Sequence, residues 1–292
     1  MTRGAFLGVD WGTTNRRVYR FAADGTVEAS ERDDKGLLSV TPGTFPAEAA
    51  AIRAQFGDLP MLCAGMVGSA RGWANVPYVS CPAGTQALAE GLHWVEPGRT
   101  AIVPGLSIAE GQSGDVMRGE EVQLLGAVAA GLAPADGLLC QPGTHCKWAR
   151  MRGETVSHFS TSMTGEMFAL LKAHSLIGSF LSGEVSDGPA FRSGVADGLD
   201  SRLLRHLFGV RAAALLGLRA EEDCAAYTSG LLIGSDIASR ALAKGEEVYV
   251  LADPYLGGLY AAAIEEAGGR AIAVDSHASF AAGILQIWKE CA

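Results

Sequence analysis

Hydrophobic segments alternate with turn residues at the start of the chain in a pattern that predicts three consecutive antiparallel strands. Apolar residues 5–9 are followed by a polar, glycine-containing turn and by a second apolar segment, 17–21. Asp24-Gly25 then leads into a third segment, 26–30, and an Asp-Gly pair favours the positive φ angles of tight hairpin turns. The start of the chain therefore predicts an antiparallel meander.

The same order of strands and turns recurs about half a chain later. Strands are predicted over 137–141, 147–151 and 155–160, with a Pro-Gly-Thr-His turn after the first of them. The repetition indicates a duplicated architecture, in which each lobe presents one strand-turn-strand element to a cleft, although two hairpins can also recur by chance.

Apolar spacing elsewhere predicts helices alternating with strands. Helices are predicted over 45–56, 120–131, 166–174, 201–207, 224–244, 257–267 and 279–289. Strands are predicted over 61–64, 101–103, 247–251 and 271–274. This alternation predicts an α/β fold.

Composition and charge narrow the classes of function. The 292 residues are 48% hydrophobic and 19% charged, with a mean hydropathy of +0.18, which is enough for a large core in one or two lobes. The net charge of -9 and the lack of Lys/Arg runs argue against nucleic acid as a partner. We see neither a signal peptide nor an apolar stretch of membrane-spanning length, so we expect a cytoplasmic protein that does not bind membranes.

The turn after the first strand combines residues suited to a triphosphate. Asp10 is followed by Gly12, Thr13 and Thr14, so a carboxylate, an exposed backbone amide and two hydroxyls fall within one turn. A carboxylate there can hold a hydrated Mg²⁺ ion, while the amide and the hydroxyls can bind phosphate oxygens. The alternative is an ordinary hairpin turn in which Asp and Thr make local backbone bonds.

The turn of the second meander offers a similar combination in Gly143, Thr144 and Lys147. It has the same alternative as a simple hairpin turn. The sequence contains neither a P-loop motif nor a dinucleotide-binding glycine motif after a strand, which argues against those two nucleotide-binding folds.

These turns and four further strings resemble one protein family over about residues 5–288. The first and second turns look like the phosphate loops of the actin, hexokinase and Hsp70 superfamily. More narrowly, the chain is similar to the 2-dehydro-3-deoxygalactonokinase family, which consists of bacterial sugar-acid kinases with that fold. The strings that carry the resemblance are VDWGTTNRR, CAGMVGSARGW, DVMRGEEVQLLGA, PGTHCKW, SMTGEMFALL and SGLLIGSDI.

The resemblance implies an ATP site and a magnesium site. Asp10 would hold the Mg²⁺ shell, and Arg17 would act as a catalytic residue that stabilises the transferring phosphate. The residues implied to contact ATP are Asp10, Gly12, Thr13, Thr14, Gly143, Thr144, Lys147, Gly257 and Gly258. The last two stand later than the glycine pair of the family's adenosine loop, because Asp253-Pro254 occupies that place.

The resemblance also implies an acceptor site and a catalytic base. The residues implied to contact the sugar acid are Gly68, Ser69, Arg71, Trp73, Arg118 and Glu120. Asp115 stands where related kinases carry the aspartate that accepts the proton of the attacking hydroxyl, and we expect it to open a helix. The alternative for Asp115 is a purely structural helix cap.

Together the resemblance implies a two-lobed actin-like ATPase fold, related to ribonuclease H, with a nucleotide cleft between the lobes. Residues 1–133, completed by a C-terminal helix over 276–292, would form one lobe and 134–275 the other. The implied reaction is the ATP-dependent phosphorylation of the C6 hydroxyl of 2-dehydro-3-deoxy-D-galactonate. The alternatives are a related sugar or sugar-acid kinase and a non-catalytic nucleotide sensor. The sequence leaves the oligomeric state open and is compatible with a homodimer.

Overall fold

Three β-sheets and the helices packed against them make up the part of the chain that the computed structural model describes, residues 4–200 and 202–291. The strands are β1 (Phe6–Trp11), β2 (Arg16–Phe21), β3 (Val27–Asp33), β4 (Met61–Gly65), β5 (Val79–Ser80), β6 (His93–Glu96), β7 (Thr100–Ile102), β8 (Leu106–Glu110), β9 (Ser113–Met117), β10 (Gly137–Gln141), β11 (Cys146–Arg152), β12 (Thr155–Ser162), β13 (Glu247–Leu251) and β14 (Arg270–Val274). The α-helices are α1 (Phe45–Phe56), α2 (Thr85–Glu90), α3 (Glu120–Ala129), α4 (Thr164–His174), α5 (Pro189–Gly198), α6 (Leu203–Leu215), α7 (Cys224–Ala238), α8 (Pro254–Glu266) and α9 (Ser276–Glu290). The predicted α/β class is confirmed.

The first sheet has the strand order β3-β2-β1-β4-β7-β6. β1, β2 and β3 form the predicted antiparallel meander, with Asp10 opposite Arg17. β4 pairs parallel with both β1 and β7, so the chain crosses over between these strands through helical segments. β1 is buried almost throughout because it lies inside the sheet. Its carboxyl end therefore delivers Asp10 from a rigid, well-packed element.

The second sheet has the order β12-β11-β10-β13-β14 and contains the three strands predicted for the second meander. β10, β13 and β14 pair parallel to one another. Its core contains residues of these strands together with apolar residues of α5, α7 and α8, including Phe191, Ile233 and Tyr260. A third, three-stranded sheet has the order β5-β8-β9.

Contacts between Cα atoms divide the described chain into two units. The first comprises the residues up to Asp136, the segment Ala149–Phe159 and the residues from Asp275 onward. The second comprises Gly137–Trp148 and Ser160–Val274. Residues 1–3 and 292, at the ends of the expected lobes, lie outside the described residues. The functional roles assigned to the lobes stay predictions.

Small residues bring α3 and α9 into close contact in the first unit. A Cβ atom on Gly126 would lie 1.8 Å from the Ser279 carbonyl oxygen, and one on Gly283 would lie 2.0 Å from the Val122 carbonyl oxygen. Only glycine fits at either position without moving a helix. This contact ties the C-terminal helix to the helix that begins at Glu120.

Several predicted helix boundaries were wrong. α9 begins at Ser276 and not at 279, because the Asp275 side chain caps it, and α6 ends at Leu215 and not at 207. Residue 201, the predicted start of α6, lies outside the described residues. α8 begins at Pro254 and not at 257, because the Asp253 side chain accepts the amides of Tyr255 and Leu256 as an N-cap and proline suits the first helical position. α7 ends at Ala238 and not at 244, since Ala241 adopts a left-handed φ of 49°.

The prediction that Asp115 opens a helix was also wrong. Asp115 lies within β9, opposite Ile108 of β8, and the next helix, α3, begins only at Glu120. Asp115 is therefore part of a hairpin strand, whose side chains alternate between two faces, and it does not cap a helix.

The search for membrane-spanning helices covers residues 4–200 and 202–291. No helix in this part of the chain combines the length and the hydropathy needed to cross a membrane.

The contact between α3 and α9 predicts a large asymmetry between two glycine-to-alanine substitutions. Gly283→Ala places a methyl group against the Val122 carbonyl, so we expect the free energy of unfolding to fall by roughly 2–3 kcal/mol. Gly209→Ala in α6 meets no atom within 4 Å and should raise it by about 0.5–1 kcal/mol through helix propensity. Chemical denaturation of both variants checks the pair. Equal effects would contradict the packing argument.

Candidate active site

A tight turn follows β1 and carries the first predicted phosphate contacts. The carbonyls of Gly12 and Thr13 accept hydrogen bonds from the amides of the segment 37–38 at 2.9 and 3.0 Å. These bonds hold the turn from one side. The side chains of Thr13 and Thr14 are exposed on the turn, where an incoming ligand can reach their hydroxyls.

Asp10, immediately before this turn, lies in a strongly perturbed electrostatic environment. Burial, assisted by the negative charge of Glu120 and opposed by the positive charge of Arg17, raises the pKa of its carboxyl group to about 6. The three charged side chains therefore act on one another at the carboxyl end of β1. A cation at this position would favour the ionised form of Asp10.

Two consecutive arginines follow the turn and have different surroundings. Arg16 is buried, forms ion pairs with Asp33 at 2.6 Å and Glu48 at 3.1 Å, and lies over the Trp11 ring at 5.0 Å. Its charge is therefore used within the fold.

Arg17, one residue later on β2, has its side chain on the other face of the strand. It is partly exposed, interacts electrostatically with Asp10, and has an Nη2 atom 3.4 Å from Nε2 of His277. Of the two arginines, Arg17 is the one whose charge faces the predicted phosphate site.

Two glycines with left-handed φ angles bring the start of α3 next to the end of β1. Gly65 has a φ of 94°, and a Cβ atom on it would lie 2.8 Å from the Trp11 carbonyl oxygen. Gly119 has a φ of 109°, and a Cβ atom on it would lie 3.1 Å from the Gly65 Cα atom. Other residues would be strained or would clash at both positions. The loop after β4 thus lies between the phosphate turn and the beginning of α3.

The first two residues of α3 are glutamates with different roles. Oε2 of Glu120 accepts the Arg118 amide at 3.1 Å, and the residue is partly exposed. Oε2 of Glu121 accepts the Gly119 amide at 2.7 Å, while its other oxygen is buried and has no hydrogen-bond partner among the described residues. Burial, assisted by the charge of Glu120, raises the pKa of Glu121 to about 8, so this carboxyl is protonated at neutral pH.

Arg118, a predicted acceptor contact, is largely buried. Its guanidinium lies 4.4 Å from the Tyr78 ring centroid, and its Nη2 atom donates to the Val76 carbonyl at 2.6 Å. Its Nε and Nη1 atoms are buried and have no hydrogen-bond partner within the described chain, and Nη1 would lie 2.8 Å from a Cβ atom on Gly68. Arg118 and Gly68 therefore pack against each other, which ties the loop after β4 to the start of α3.

The other acceptor residues predicted in this loop have unequal access to solvent. Arg71 is exposed and can reach an anionic ligand. Ser69 donates its hydroxyl to the Met66 carbonyl at 2.7 Å, and Trp73 stacks on Phe45 with ring centroids 6.0 Å apart. The last two side chains thus make contacts that shape the loop itself.

Asp115, the predicted base, lies in β9, which ends at Met117 before α3 begins at Glu120. It is partly buried on β9, where its Oδ1 atom accepts its neighbour's amide, that of Val116, at 2.7 Å. The charge of Glu120 acts on Asp10, whereas Asp115 lies opposite Ile108 in the three-stranded sheet.

In the second unit, the predicted turn packs against the start of α4. A Cβ atom on Gly165 would lie 2.5 Å from the Gly143 carbonyl oxygen, and the Glu166 amide donates to the Thr144 carbonyl at 2.9 Å. His145 Nε2 lies 2.6 Å from Glu166 Oε2. The hydroxyl-bearing Thr144 is exposed, as a phosphate contact requires.

Lys147, the predicted cation of the second turn, is buried on β11. Its Nζ atom donates to Oγ1 of Thr161 at 2.9 Å. The lysine thus contacts a neighbouring strand and is not displayed on the turn.

A mostly apolar pocket opens next to Gly143 within the second unit. Its lining is Gly143, Thr164, Gly165, Phe168, Val185, Ser229, Leu232, Ile233, Tyr255, Leu256, Leu259 and Tyr260. An apolar pocket with a few polar groups suits the flat ring of a nucleobase. Of these residues, sequence reasoning assigned only Gly143. The small residues of the SGLLIGSDI string on α7 were the available signal for Ser229, Leu232 and Ile233.

The predicted adenosine glycines, Gly257 and Gly258, lie inside the first turns of α8. The Gly257 amide donates to the Asp253 carbonyl at 2.8 Å, in helical geometry. The pocket is lined by their neighbours on the same helix, including Tyr255 and Leu256. The structure thus puts these glycines beside the pocket and larger side chains on its wall.

A buried carboxylate, Asp236, fixes two residues of this pocket. Its Oδ2 atom accepts hydrogen bonds from Thr164 at 3.2 Å, Trp148 at 3.2 Å and Tyr260 at 3.4 Å. Its Oδ1 atom pairs with Arg240 at 2.8 Å. This network satisfies the buried charge and sets the positions of Thr164 and Tyr260.

The comparisons with known proteins agree on one protein family. The sequence model of the family described as 2-keto-3-deoxy-galactonokinase matches residues 10–287. The curated 2-dehydro-3-deoxygalactonokinase of Escherichia coli (strain K12) is 36% identical over 287 residues, which cover 97% of this chain and 97% of the relative. A curated relative from Rhizobium meliloti (strain 1021) is 36% identical over 301 residues, covering 97% of this chain and 96% of its own.

Solved structures agree on the fold. A Sinorhizobium meliloti protein assigned as a 2-dehydro-3-deoxygalactonokinase has a TM-score of 0.89 at 33% identity, covering 96% of each chain. The activator of the 2-hydroxyisocaproyl-CoA dehydratase from Clostridium difficile, solved with ADPNP, has a TM-score of 0.50 at 12% identity, covering 98% of this chain and 94% of its own. At that identity, the second likeness shows the fold alone, which is that of the actin-like ATPases.

The buried Glu121 predicts a specific dependence of stability on pH. Folding raises the pKa of this carboxyl from 4.5 to about 8, so between these values the native state keeps a proton that the unfolded state releases. Stability contributed by this group is therefore lost as pH rises through the window.

Glu121→Gln removes that titration and keeps an acceptor for the Gly119 amide. We expect the stability of the variant relative to the unmodified chain to increase by roughly 2 kcal/mol or more between pH 5 and pH 8. Urea denaturation of both proteins across this range measures the difference. A difference that stays flat with pH would refute a neutral, buried Glu121.

Proposed function

Because the chain belongs to the 2-keto-3-deoxy-galactonokinase family, we propose that it transfers the γ-phosphoryl group of ATP to the C6 hydroxyl of 2-dehydro-3-deoxy-D-galactonate. The observation that carries the proposal within the chain is the turn after β1. Thr13 and Thr14 are exposed on this turn, which directly follows β1 and Asp10, and the charge of Arg17 acts on the Asp10 carboxyl group. Such a group of donors, with a carboxylate beside it, suits a magnesium-bound polyphosphate.

The donor set at this turn fits Mg²⁺. This ion is usually held by one or two carboxylates together with substrate phosphates and water, and not by a cage of protein ligands. In residues 4–200 and 202–291, no cluster of three or more His, Cys, Asp and Glu side chains forms such a cage. Asp10 would hold the ion, and the bound ion would neutralise negative charge on the polyphosphate.

Positive charge and hydrogen-bond donors of the first unit would stabilise the transferring group. Gly12, Thr13 and Thr14 would donate to phosphate oxygens, and Arg17 would stabilise the charge that builds up on the phosphoryl group during transfer. The contribution of Arg17 is supported by its position on the Asp10 side of β2. The charge of Arg16 is already matched by two carboxylates.

In the second unit, we propose that the pocket beside Gly143 takes the adenosine part of ATP. Phe168, Leu232 and Tyr255 supply apolar surface for the base, and Ser229 and Thr164 supply hydroxyls. Gly143 and Thr144 would contact phosphate next to this pocket. The phosphate contact predicted for Lys147 has less support, because its ammonium group is buried against Thr161.

The sugar acid carries a carboxylate, so its site requires a cation. Arg71 is exposed on the loop after β4, whereas Arg118 is stacked and buried. We therefore assign the recognition of the acceptor carboxylate to Arg71. Gly68, Ser69 and Trp73 shape the loop that presents it.

We also infer a cytoplasmic homodimer. The support is an exposed apolar face on and after α6, which a second copy of the chain would cover. Its most exposed side chains are Leu204, Phe208, Leu215, Leu216 and Leu218.

The proposed reaction predicts acceptor-dependent turnover with strong selectivity for the charge of the acceptor. The purified chain with ATP and Mg²⁺ should phosphorylate 2-dehydro-3-deoxy-D-galactonate with a kcat/KM at least roughly 100-fold above that for galactose or glucose. A coupled ADP assay with all three acceptors measures this ratio. Nucleotide binding without acceptor-dependent turnover would identify a sensor, and equal values on neutral sugars would contradict the sugar-acid assignment.

Replacement by glutamine should have different effects at the two neighbouring arginines: it should lower turnover at one and stability at the other. Arg17→Gln should lower kcat by roughly 10- to 1,000-fold with little change in stability, because it removes a charge that faces the phosphoryl group. Arg16→Gln should lower the free energy of unfolding by about 3 kcal/mol, because it leaves Asp33 and Glu48 without their buried partner. Steady-state kinetics and denaturation of both variants separate the effects. Normal turnover in Arg17→Gln would remove that residue from the reaction.

A further inference from the structure

We propose that Glu120 is the catalytic base that accepts the proton of the attacking hydroxyl. This inference rests on the proposed kinase function and assigns the step that the family resemblance implied for Asp115. Three properties of Glu120 carry it: its place in the fold, the way its carboxylate is held, and the state of the neighbouring carboxyl groups.

The place of Glu120 is fixed by backbone contacts and not by a flexible loop. It is the first residue of α3 and follows Gly119, which packs against Gly65, which in turn packs against the Trp11 carbonyl. Trp11 directly follows Asp10. The carboxylate of Glu120 therefore originates at the end of β1 where the phosphate turn begins, and its charge acts on Asp10.

The carboxylate of Glu120 is oriented at one oxygen. Oε2 accepts the Arg118 amide at 3.1 Å. Within residues 4–200 and 202–291, Oε1 makes no hydrogen bond, and the side chain is partly exposed. A general base needs this combination of a fixed position and an open lone pair that a substrate hydroxyl can reach.

Three other acidic groups fit the role less well. Glu121 is fully buried, and its raised pKa keeps it protonated at neutral pH, so it has no negative charge to offer. Asp115 lies on β9, in the three-stranded sheet, and not on the helix that follows Gly119. Asp10 is the carboxylate proposed above to hold the magnesium ion.

The proposed step conserves atoms and charge. The acceptor hydroxyl oxygen forms a bond to the γ-phosphorus while the bond from that phosphorus to the β,γ-bridging oxygen breaks. The bridging oxygen leaves with the electron pair as part of ADP. The hydroxyl proton passes to Oε1 of Glu120 and is released to solvent after the product departs.

The test compares two substitutions that each remove a carboxylate and keep its shape. Glu120→Gln retains an acceptor for the Arg118 amide but cannot take up a proton, and Asp115→Asn makes the same change at the rival carboxylate. We expect Glu120→Gln to lower kcat by roughly 10²- to 10⁴-fold, with the affinity for ATP within about threefold of the unmodified chain. Asp115→Asn should lower kcat by much less than Glu120→Gln does.

Calorimetric titration with ATP, thermal unfolding and acceptor-dependent kinetics are measured on each variant. A Glu120→Gln variant that keeps more than a tenth of kcat would overturn the proposal, and so would one whose ATP affinity falls in parallel with kcat. A loss of turnover confined to Asp115→Asn would restore that residue as the base.

Glu120→Asp covers the case in which the Gln variant does not fold. It keeps a carboxylate that is one methylene shorter, so kcat should fall at least about tenfold with ATP affinity unchanged. Full turnover in Glu120→Asp and no soluble Gln variant would count against the proposal. An inactive unmodified chain would instead refute the kinase function itself, which keeps the two failures apart.

Discussion

The close approach of three backbone segments, at Trp11, Gly65 and Gly119, is the constraint on which the site of the first unit depends. Left-handed glycines at 65 and 119 allow contacts that a side chain would prevent. Because of this packing, the end of β1 and the start of α3 form one rigid element. The positions of Asp10 and Glu120 follow from it, although the two residues are 110 positions apart in the sequence.

In the same unit, some charged side chains are paired within the fold, and others remain available for the proposed reaction. Arg16 and Arg17 are adjacent but lie on opposite faces of β2. Arg16 pairs with two carboxylates, whereas the charge of Arg17 acts on Asp10. Glu120 and Glu121 are divided in a similar way, since one is partly exposed and the other is buried and protonated. In both pairs, the periodicity of the element decides which residue of the pair faces the site.

In the second unit, a buried polar network holds the residues of the candidate site in position, as the glycine contacts do in the first unit. Asp236 on α7 satisfies its charge with Arg240 and holds Thr164 and Tyr260, which line the pocket beside Gly143. Buried charge is costly unless every oxygen is paired, so such a network rigidifies the residues attached to it. A rigid pocket wall binds a flat base with little loss of conformational entropy.

The sequence by itself determined the α/β class, the strands on either side of both turns and the family, because these features depend on local periodicity and on short strings such as VDWGTTNRR. The predicted helix start at Asp115 was wrong, since an acidic residue before a helical pattern is equally compatible with a helix cap and with a hairpin strand. Only the tertiary structure decided which carboxylate stands beside Asp10, which arginine is neutralised, and which side chains of α7 and α8 line the pocket. Each of these depends on contacts between segments far apart in the chain, and no local pattern encodes them.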